Sequence, residues 1–80
     1  MRKIMKYTVI IERGQSSYGA FVPDLPGCIA VGESREEAIA LIKEAIEFHI
    51  EGLKKEKQII PLPHCDFAQV EVNAALINFG

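Results

Sequence analysis

Apolar and polar residues alternate in the first part of the chain, and this pattern predicts β-strands. The alternation extends over residues 4–12, where one face carries Met5, Tyr7, Val9 and Ile11. A period of two is typical of a strand with one buried face. Two further short apolar runs, residues 18–22 and residues 28–31, follow connections rich in turn-forming residues. We therefore expect an antiparallel meander of three strands.

The period changes to 3.6 residues from Arg35 to about Lys55, which predicts one long helix. Ser34 and Glu37 form a capping box at its start, where the serine oxygen accepts an otherwise unpaired backbone N–H. At about 100° per residue, the main apolar stripe comprises Ile39, Ile42, Ile46, Ile50 and Leu53. We expect this stripe to pack on one face of the sheet.

Leu41 and Phe48 lie on the flank of the stripe and widen the apolar arc to about half of the helix circumference. One interpretation is a helix that sits more deeply in its own core. The other is a second contact surface, directed at another protein chain. We favour the contact surface, because so small a domain has little core in which to bury additional apolar area.

The chain after the helix begins with a stiff connection and then alternates again. Pro61 and Pro63 restrict the residues before them to extended conformations. Residues 67–72 alternate as a fourth strand would, so the predicted fold class is α+β in the order β-β-β-α-β. The last residues are more apolar than is usual for a chain end, and we predict protein contacts for Leu76, Ile77 and Phe79.

The size and charge of the chain favour an oligomeric binding protein. Eighty residues give room for one domain, residues 1–80, and its small core makes a dimer or higher oligomer the expected state. The net charge of −2 suits a basic partner protein better than a nucleic acid. No signal-peptide pattern begins the chain, and no apolar run reaches the roughly 20 residues that span a membrane. We therefore expect a cytoplasmic protein with reduced thiols and no membrane partner.

The cysteines and histidines form no recognisable metal-binding or catalytic motif. The candidates are Cys28, His49, His64 and Cys65. Only the last two are close in sequence, and neighbours on an extended chain point to opposite sides, unlike paired ligands such as C-x₂-C. Nothing in the sequence orients His64 as a base for Cys65. We therefore predict no cofactor, no metal and no catalytic residue.

A rigid turn at residues 23–28, Pro-Asp-Leu-Pro-Gly-Cys, separates the second and third predicted strands. Two prolines in this segment fix φ and remove backbone donors, so it cannot be helix or central strand. Asp24 between the prolines suits a role in the turn, where its side chain bonds its own backbone. It also suits an acid presented rigidly to a partner, and the two roles are compatible.

The order of these motifs resembles the HicB family of antitoxins. The resemblance rests on the first strand, the 23–28 turn, Gly-Glu-Ser at 32–34, the helix opening at Glu37 and the 60–63 segment. It implies a partial ribonuclease H-like fold without nuclease activity. It also implies a binding protein that covers the active surface of HicA, a small toxin that cleaves messenger RNA. Many members carry a C-terminal DNA-binding domain for which this chain has no room, so direct DNA binding is doubtful.

The leading hypothesis is therefore an antitoxin-like binding protein that is not an enzyme, with contacts at Asp24, Leu41, Phe48 and the apolar tail. One alternative is an orphan oligomeric domain of the same fold that binds a small ligand or another protein. The other is a degenerate ribonuclease H-like nuclease. That activity needs several converging carboxylates, and the first strand carries only Glu12 while the second carries none before Asp24.

Overall fold

The computed structural model describes residues 4–76, in which three strands are followed by one long helix. The elements are β1 (Ile10–Arg13), β2 (Tyr18–Phe21), β3 (Ile29–Gly32), α1 (Arg35–Lys55) and a short 3₁₀ helix at Ala74–Leu76. The strands form one antiparallel sheet in the order β1-β2-β3. The predicted α+β meander with a helix packed on it is confirmed.

β1 is shorter than the predicted strand at residues 4–12, because its partner strand ends. Ile10 pairs with Phe21, which is the last residue of β2. Pro23 follows closely and has no N–H with which to extend the ladder. Tyr7 and Val9 precede β1, yet both pack against the core, as the alternation predicts. The other two strands differ from their predicted bounds by one residue.

α1 begins and ends where the sequence predicts, because local interactions fix both of its ends. The Ser34 hydroxyl accepts the backbone N–H of Glu37 at 3.0 Å, and the Glu37 carboxylate accepts the N–H of Glu33 at 2.9 Å. At the other end, Lys57 adopts a left-handed φ of 56°. This conformation directs the N–H of Gln58 to the carbonyl of Leu53, as in a Schellman motif.

The core lies between α1 and the inner face of the sheet, and the 23–28 turn closes one end of it. Its buried residues are Ala20, Val22, Leu25, Cys28, Ala38 and Ile42. The turn folds back on itself: the N–H of Leu25 bonds the carbonyl of Val22 at 3.0 Å, and Gly27 takes a positive φ of 85°. The turn thereby contributes a fully buried leucine to the core.

Close packing between β3 and α1 makes Gly32 a position without room for a side chain. A Cβ at this position would lie 2.6 Å from the backbone nitrogen of Ala38. We expect Gly32→Ala to lower the free energy of unfolding by about 1–3 kcal/mol, because backbone must move to relieve the overlap. Urea unfolding at one fixed protein concentration measures the change.

The matched control for this prediction is Gly52→Ala, on the exposed part of α1. Nothing lies within 4 Å of a Cβ at Gly52. This substitution should raise the free energy of unfolding by about 0.5–1 kcal/mol, because alanine favours the helix more than glycine does. Equal effects of the two substitutions would contradict the packing argument.

The predicted fourth strand at residues 67–72 is wrong. No strand occurs there in the described part of the chain. Alternation alone does not make a strand, because the backbone also needs a ladder partner for its N–H and C=O groups. Residues 61–65 are instead held beside the start of the chain by side-chain bonds: Tyr7 donates to the carbonyl of Pro61 at 2.6 Å, and Thr8 donates to that of Cys65 at 2.9 Å.

Candidate partner-binding surfaces

The outer flank of α1 presents an apolar ridge to solvent, formed by Leu41 and Phe48. Seven residues separate them, so they lie two turns apart on one side of the helix. Both are exposed, and Phe48 retains 79% of its accessible surface. Neither side chain lies in the core of this chain. Contact of both residues with another protein chain therefore stays the prediction. We call this surface the helix ridge.

Carboxylates border the helix ridge on its polar side. Glu37, Glu44 and Glu51 are all exposed, and each lies three or four residues from Leu41 or Phe48 along α1. Side chains at these spacings are neighbours on a helix surface. The ridge therefore combines an aromatic anchor with a row of negative charge, an arrangement that suits a basic partner surface.

The face of the sheet opposite α1 is mostly apolar and is not covered by the helix, although Glu12, in register with Val31 through Gly19, also lies on it. The pairing register aligns Ile10, Phe21 and Ile29 across the three strands. Val31 lies on the same side of β3, and Ile29 and Val31 are both exposed. We call these four apolar residues the open sheet face. An uncovered apolar sheet face of this kind marks an interaction surface.

The sequence analysis did not identify the open sheet face. The available signal was that β2 and the start of β3 lie in continuous apolar runs, Ala-Phe-Val at 20–22 and Cys-Ile-Ala-Val at 28–31, rather than in alternating ones. A continuous apolar run is typical of a strand that is covered on both faces. These runs were assigned to strands without a prediction of which faces the strands would bury.

An apolar groove separates the flank of α1 from the stretch before β1. It has a volume of about 330 Å³, and its main apolar lining residues are Met5, Tyr7, Val9, Ile39, Ile46 and Ile50. The groove exists because α1 packs mainly on β2 and β3, so that residues 5–9 are only partly covered. Ile39, predicted to lie in the packed stripe, is for this reason partly exposed.

Asp24 lies inside the protein and holds the chain segment that follows the helix. Its side chain is buried, and Oδ2 accepts the backbone N–H groups of His64 at 3.0 Å and Cys65 at 3.1 Å. These bonds join residues 40 and 41 positions apart in sequence. In the structure, Asp24 anchors the segment at His64 and Cys65 from inside the protein. Its predicted contact with a partner stays a prediction.

The surroundings of Asp24 favour its ionised form. The pKa of its carboxyl is lowered, chiefly by the Cys65 thiol beside it and further by the two backbone N–H groups and His64, although burial acts in the opposite direction. The same contact with Asp24 raises the pKa of the Cys65 thiol. Burial, with a smaller effect of the Asp24 charge, raises the pKa of Tyr7.

The lowered pKa of Asp24 predicts a pH-dependent contribution to stability. Because the carboxyl has a lower pKa when folded, its contribution is fully present above the ordinary value of 3.8 and is lost as the pH falls through the folded-state value. Asp24→Asn keeps an oxygen that can accept the two backbone N–H groups, removes the charge and replaces the other oxygen with an NH₂ group. We expect the wild type to be more stable than this variant at neutral pH, and the difference to shrink in acid.

Urea midpoints of both proteins at about pH 7, 5 and 3, at one protein concentration, measure this difference. Tyr7, His64 and Cys65 are the titratable groups that face Asp24. The comparison between pH 5 and pH 3 is the decisive one, because the carboxyl of Asp24 changes charge below its ordinary pKa of 3.8. A difference that does not change over that interval would rule out the charge as its source.

The remaining predicted positions fall partly outside the described residues. Ile77 and Phe79 lie beyond residue 76, and the side chain of Leu76 is not described, so their predicted contacts stay predictions. Cys28 is buried in the core, as predicted for a small buried residue, and burial raises its pKa. His49 is partly buried on α1, in agreement with a position at the edge of the core.

The structure brings His64 and Cys65 together at Asp24, which the sequence analysis did not expect. One ligand atom from each of the three residues lies within 4.8 Å of the others. The argument that the adjacent pair must point to opposite sides is wrong here, because residues 58–73 form no regular strand. The signal that could have linked them, an acid in the turn 40 residues earlier, is not a local one.

Comparison with known families gives a match over most of the chain. The sequence model of the HicB-like antitoxin of bacterial toxin–antitoxin systems matches residues 7–76, which include all of β1, β2, β3 and α1. This chain belongs to the HicB-like antitoxin family. The match begins within the stretch before β1 and extends through the segment anchored by Asp24, so the family pattern covers both candidate surfaces.

Individual relatives support the same assignment. A UPF0150 protein of Thermoplasma acidophilum is 50% identical over 58 residues, which cover 71% of this chain and 84% of the relative. A UPF0150 protein of Synechocystis is 46% identical over 61 residues, or 75% and 77% of the two chains. Antitoxin HicB 2 of Photorhabdus laumondii is 31% identical over 77 residues, covering 95% of this chain and 55% of that longer protein.

Among the residues that the structure describes, no helix is both long enough and apolar enough to cross a bilayer.

Proposed function

We propose that this protein is an antitoxin that neutralises a HicA-type, messenger-RNA-cleaving toxin by covering the active surface of that toxin. Membership of the HicB-like antitoxin family supports the antitoxin role. The observation that carries the covering mechanism is the helix ridge, an exposed phenylalanine bordered by carboxylates. A protein that binds RNA uses a basic surface to do so, and the ridge complements such a surface in charge.

The helix ridge is the surface that we assign to the toxin. Leu41 and Phe48 supply apolar anchors of the kind that dominates binding energy in protein interfaces. Glu44, between them, and Glu51, beyond Phe48, supply charges that steer a basic partner and fix its orientation. An aromatic anchor with a charged border is typical of partners that exist separately before they bind.

The open sheet face is the surface that we assign to self-association, as a dimer or higher oligomer. It contains Ile10, Phe21 and Ile29 aligned across the sheet and Val31 two residues further along β3, with Glu12 as the charged residue in register with Val31. Interfaces between identical subunits are more apolar than those between independent partners. Covering this face would also add buried apolar area to a domain with a small core.

We further propose that the protein has no enzymatic role. Two-metal cleavage of RNA needs several carboxylates that converge on the metal ions. Within residues 4–76 the one group of three or more potential ligands contains a single carboxylate, that of Asp24. Occlusion of a partner requires no catalytic group, so the available side chains suffice for the proposed mechanism.

The experiment that tests the proposal is co-purification of the tagged protein with the product of a neighbouring small reading frame, with light scattering of each protein alone and of the mixture. We expect a stable complex and an oligomer of the tagged protein by itself. A clean oligomer that binds no neighbouring product would contradict the antitoxin proposal and leave the oligomeric state unaffected.

The groove beside residues 5–9 favours one second candidate, an orphan oligomeric domain that binds a small apolar ligand. Its size, about 330 Å³, and its apolar lining suit such a ligand. Under this alternative, Ile46→Glu would abolish a ligand-induced rise in melting temperature for an apolar compound selected by thermal shift. If the protein binds the toxin equally well with Ile46→Glu, the groove is separate from the toxin-binding surface.

A further inference from the structure

Three side chains with different metal-binding atoms meet where the segment after the helix touches the proline turn. Asp24 contributes a carboxylate oxygen, His64 an imidazole nitrogen and Cys65 a thiol sulfur, and these atoms lie within 4.8 Å of one another. Carboxylate, imidazole and thiolate together form a donor set that suits Zn²⁺ and similar ions rather than Mg²⁺ or Ca²⁺.

The two oxygens of the Asp24 carboxylate have different surroundings. Oδ2 accepts the two backbone N–H groups described above. Oδ1 is buried and accepts no hydrogen bond. Nδ1 of His64 lies 2.9 Å from Oδ1, so two of the three potential ligand atoms already face each other. A buried oxygen without a donor normally calls for an explanation, and a cation at this position would supply one.

We propose that Asp24, His64 and Cys65 bind one divalent ion of the Zn²⁺ class. Bonds of about 2.0–2.3 Å to O, N and S place the ligands of a tetrahedral zinc ion roughly 3.3–3.8 Å apart. The three ligand atoms, within 4.8 Å of one another, reach that spacing by a movement of about 1 Å. Three protein ligands leave the fourth position to water, and binding releases the thiol proton to solvent.

The position of the site determines its effect on the protein. His64 is exposed and Cys65 is partly exposed, so an ion reaches the site from solvent, while Asp24 anchors it from the buried side. Bound metal would join the segment at residues 61–65 to the turn more firmly than the existing hydrogen bonds do. The inference does not depend on the proposed antitoxin function, because neither the helix ridge nor the open sheet face takes part.

The test is titration of the full-length, reduced protein with Co²⁺, followed by its absorption spectrum. We expect saturation at one ion per chain, with the ligand-field bands of a tetrahedral site and a thiolate-to-cobalt charge-transfer band. Zn²⁺ should displace the Co²⁺, because it binds such sites more tightly. Thermal unfolding with and without Zn²⁺ should show a higher melting temperature with the metal.

Substitutions identify the ligands. Cys65→Ser should remove the charge-transfer band and weaken metal binding at least about tenfold. Loss of a residue that only hydrogen-bonds to a metal ligand already weakens binding by about that factor. His64→Gln should weaken binding to a similar extent and keep the band. Cys28→Ala is the matched control, since it removes the other cysteine. It should leave the metal affinity and the charge-transfer band unchanged. No stoichiometric binding, or a band that persists in Cys65→Ser, would overturn the proposal.

Discussion

Phe48→Asp is expected to weaken binding of the toxin by about 100-fold while leaving the oligomer intact. The wild-type ring is 79% exposed in the single chain, so little of the folding energy depends on it. In a complex it would be buried at the centre of the helix ridge. Loss of such an anchor removes about 2–4 kcal/mol, and each 1.4 kcal/mol corresponds to a factor of ten in the dissociation constant.

The matched control is Phe67→Asp, which makes the same exchange on the segment that follows the helix. Phe67 is 73% exposed, close to the value for Phe48. Net charge and general hydrophobicity therefore change equally in the two variants, and only the location differs. Calorimetric titration of each variant with purified toxin measures the effect. If Phe67→Asp weakens binding as strongly as Phe48→Asp, the assignment to the helix ridge is wrong.

Ile29→Glu is expected to convert the oligomer into a monomer that still folds and still binds the toxin. Ile29 is the outer member of the row that also contains Ile10 and Phe21, and it is 68% exposed in the single chain. A carboxylate at position 29, within an apolar interface, would be buried without a partner. Such a charge costs several kcal/mol, which shifts self-association by at least about 100-fold.

Ile59→Glu serves as the control for this variant, because Ile59 is 92% exposed and lies outside the sheet. Light scattering over a range of concentrations should show a monomer for Ile29→Glu and the wild-type oligomer for Ile59→Glu. Circular dichroism confirms that both variants fold. An unchanged oligomer in folded Ile29→Glu would show that the open sheet face is not the interface between subunits.

The start of the helix at Arg35 and its end near Lys55 could be predicted from the sequence, because the determinants of a helix are local. Ser34 and Glu37 fix its start within a few residues of chain, and the end depends on the backbone around Lys57. The bounds of the strands were predicted less accurately, because a strand ends where its partner strand ends. β1 begins only at Ile10, opposite the end of β2, although the alternation continues back to residue 4.

The errors concern contacts between residues far apart in sequence. Residues 67–72 alternate as a strand does, but the described chain gives them no ladder partner. The bonds from Asp24 to His64 and Cys65 span about half of the chain, and no local pattern indicates them. The helix ridge was predictable, because Leu41 and Phe48 depart visibly from the main apolar stripe. The open sheet face required the strand register, which the sequence does not contain.

The most direct test of the central claim is the rate of messenger-RNA cleavage by the purified HicA-type toxin as this protein is added in increasing amounts. Covering of the active surface predicts a linear fall in rate to zero at a fixed stoichiometric ratio, with Phe48→Asp shifting the curve far to higher concentration. Cleavage that continues at full rate in the presence of excess protein, or that ceases equally with Phe48→Asp, would contradict the account.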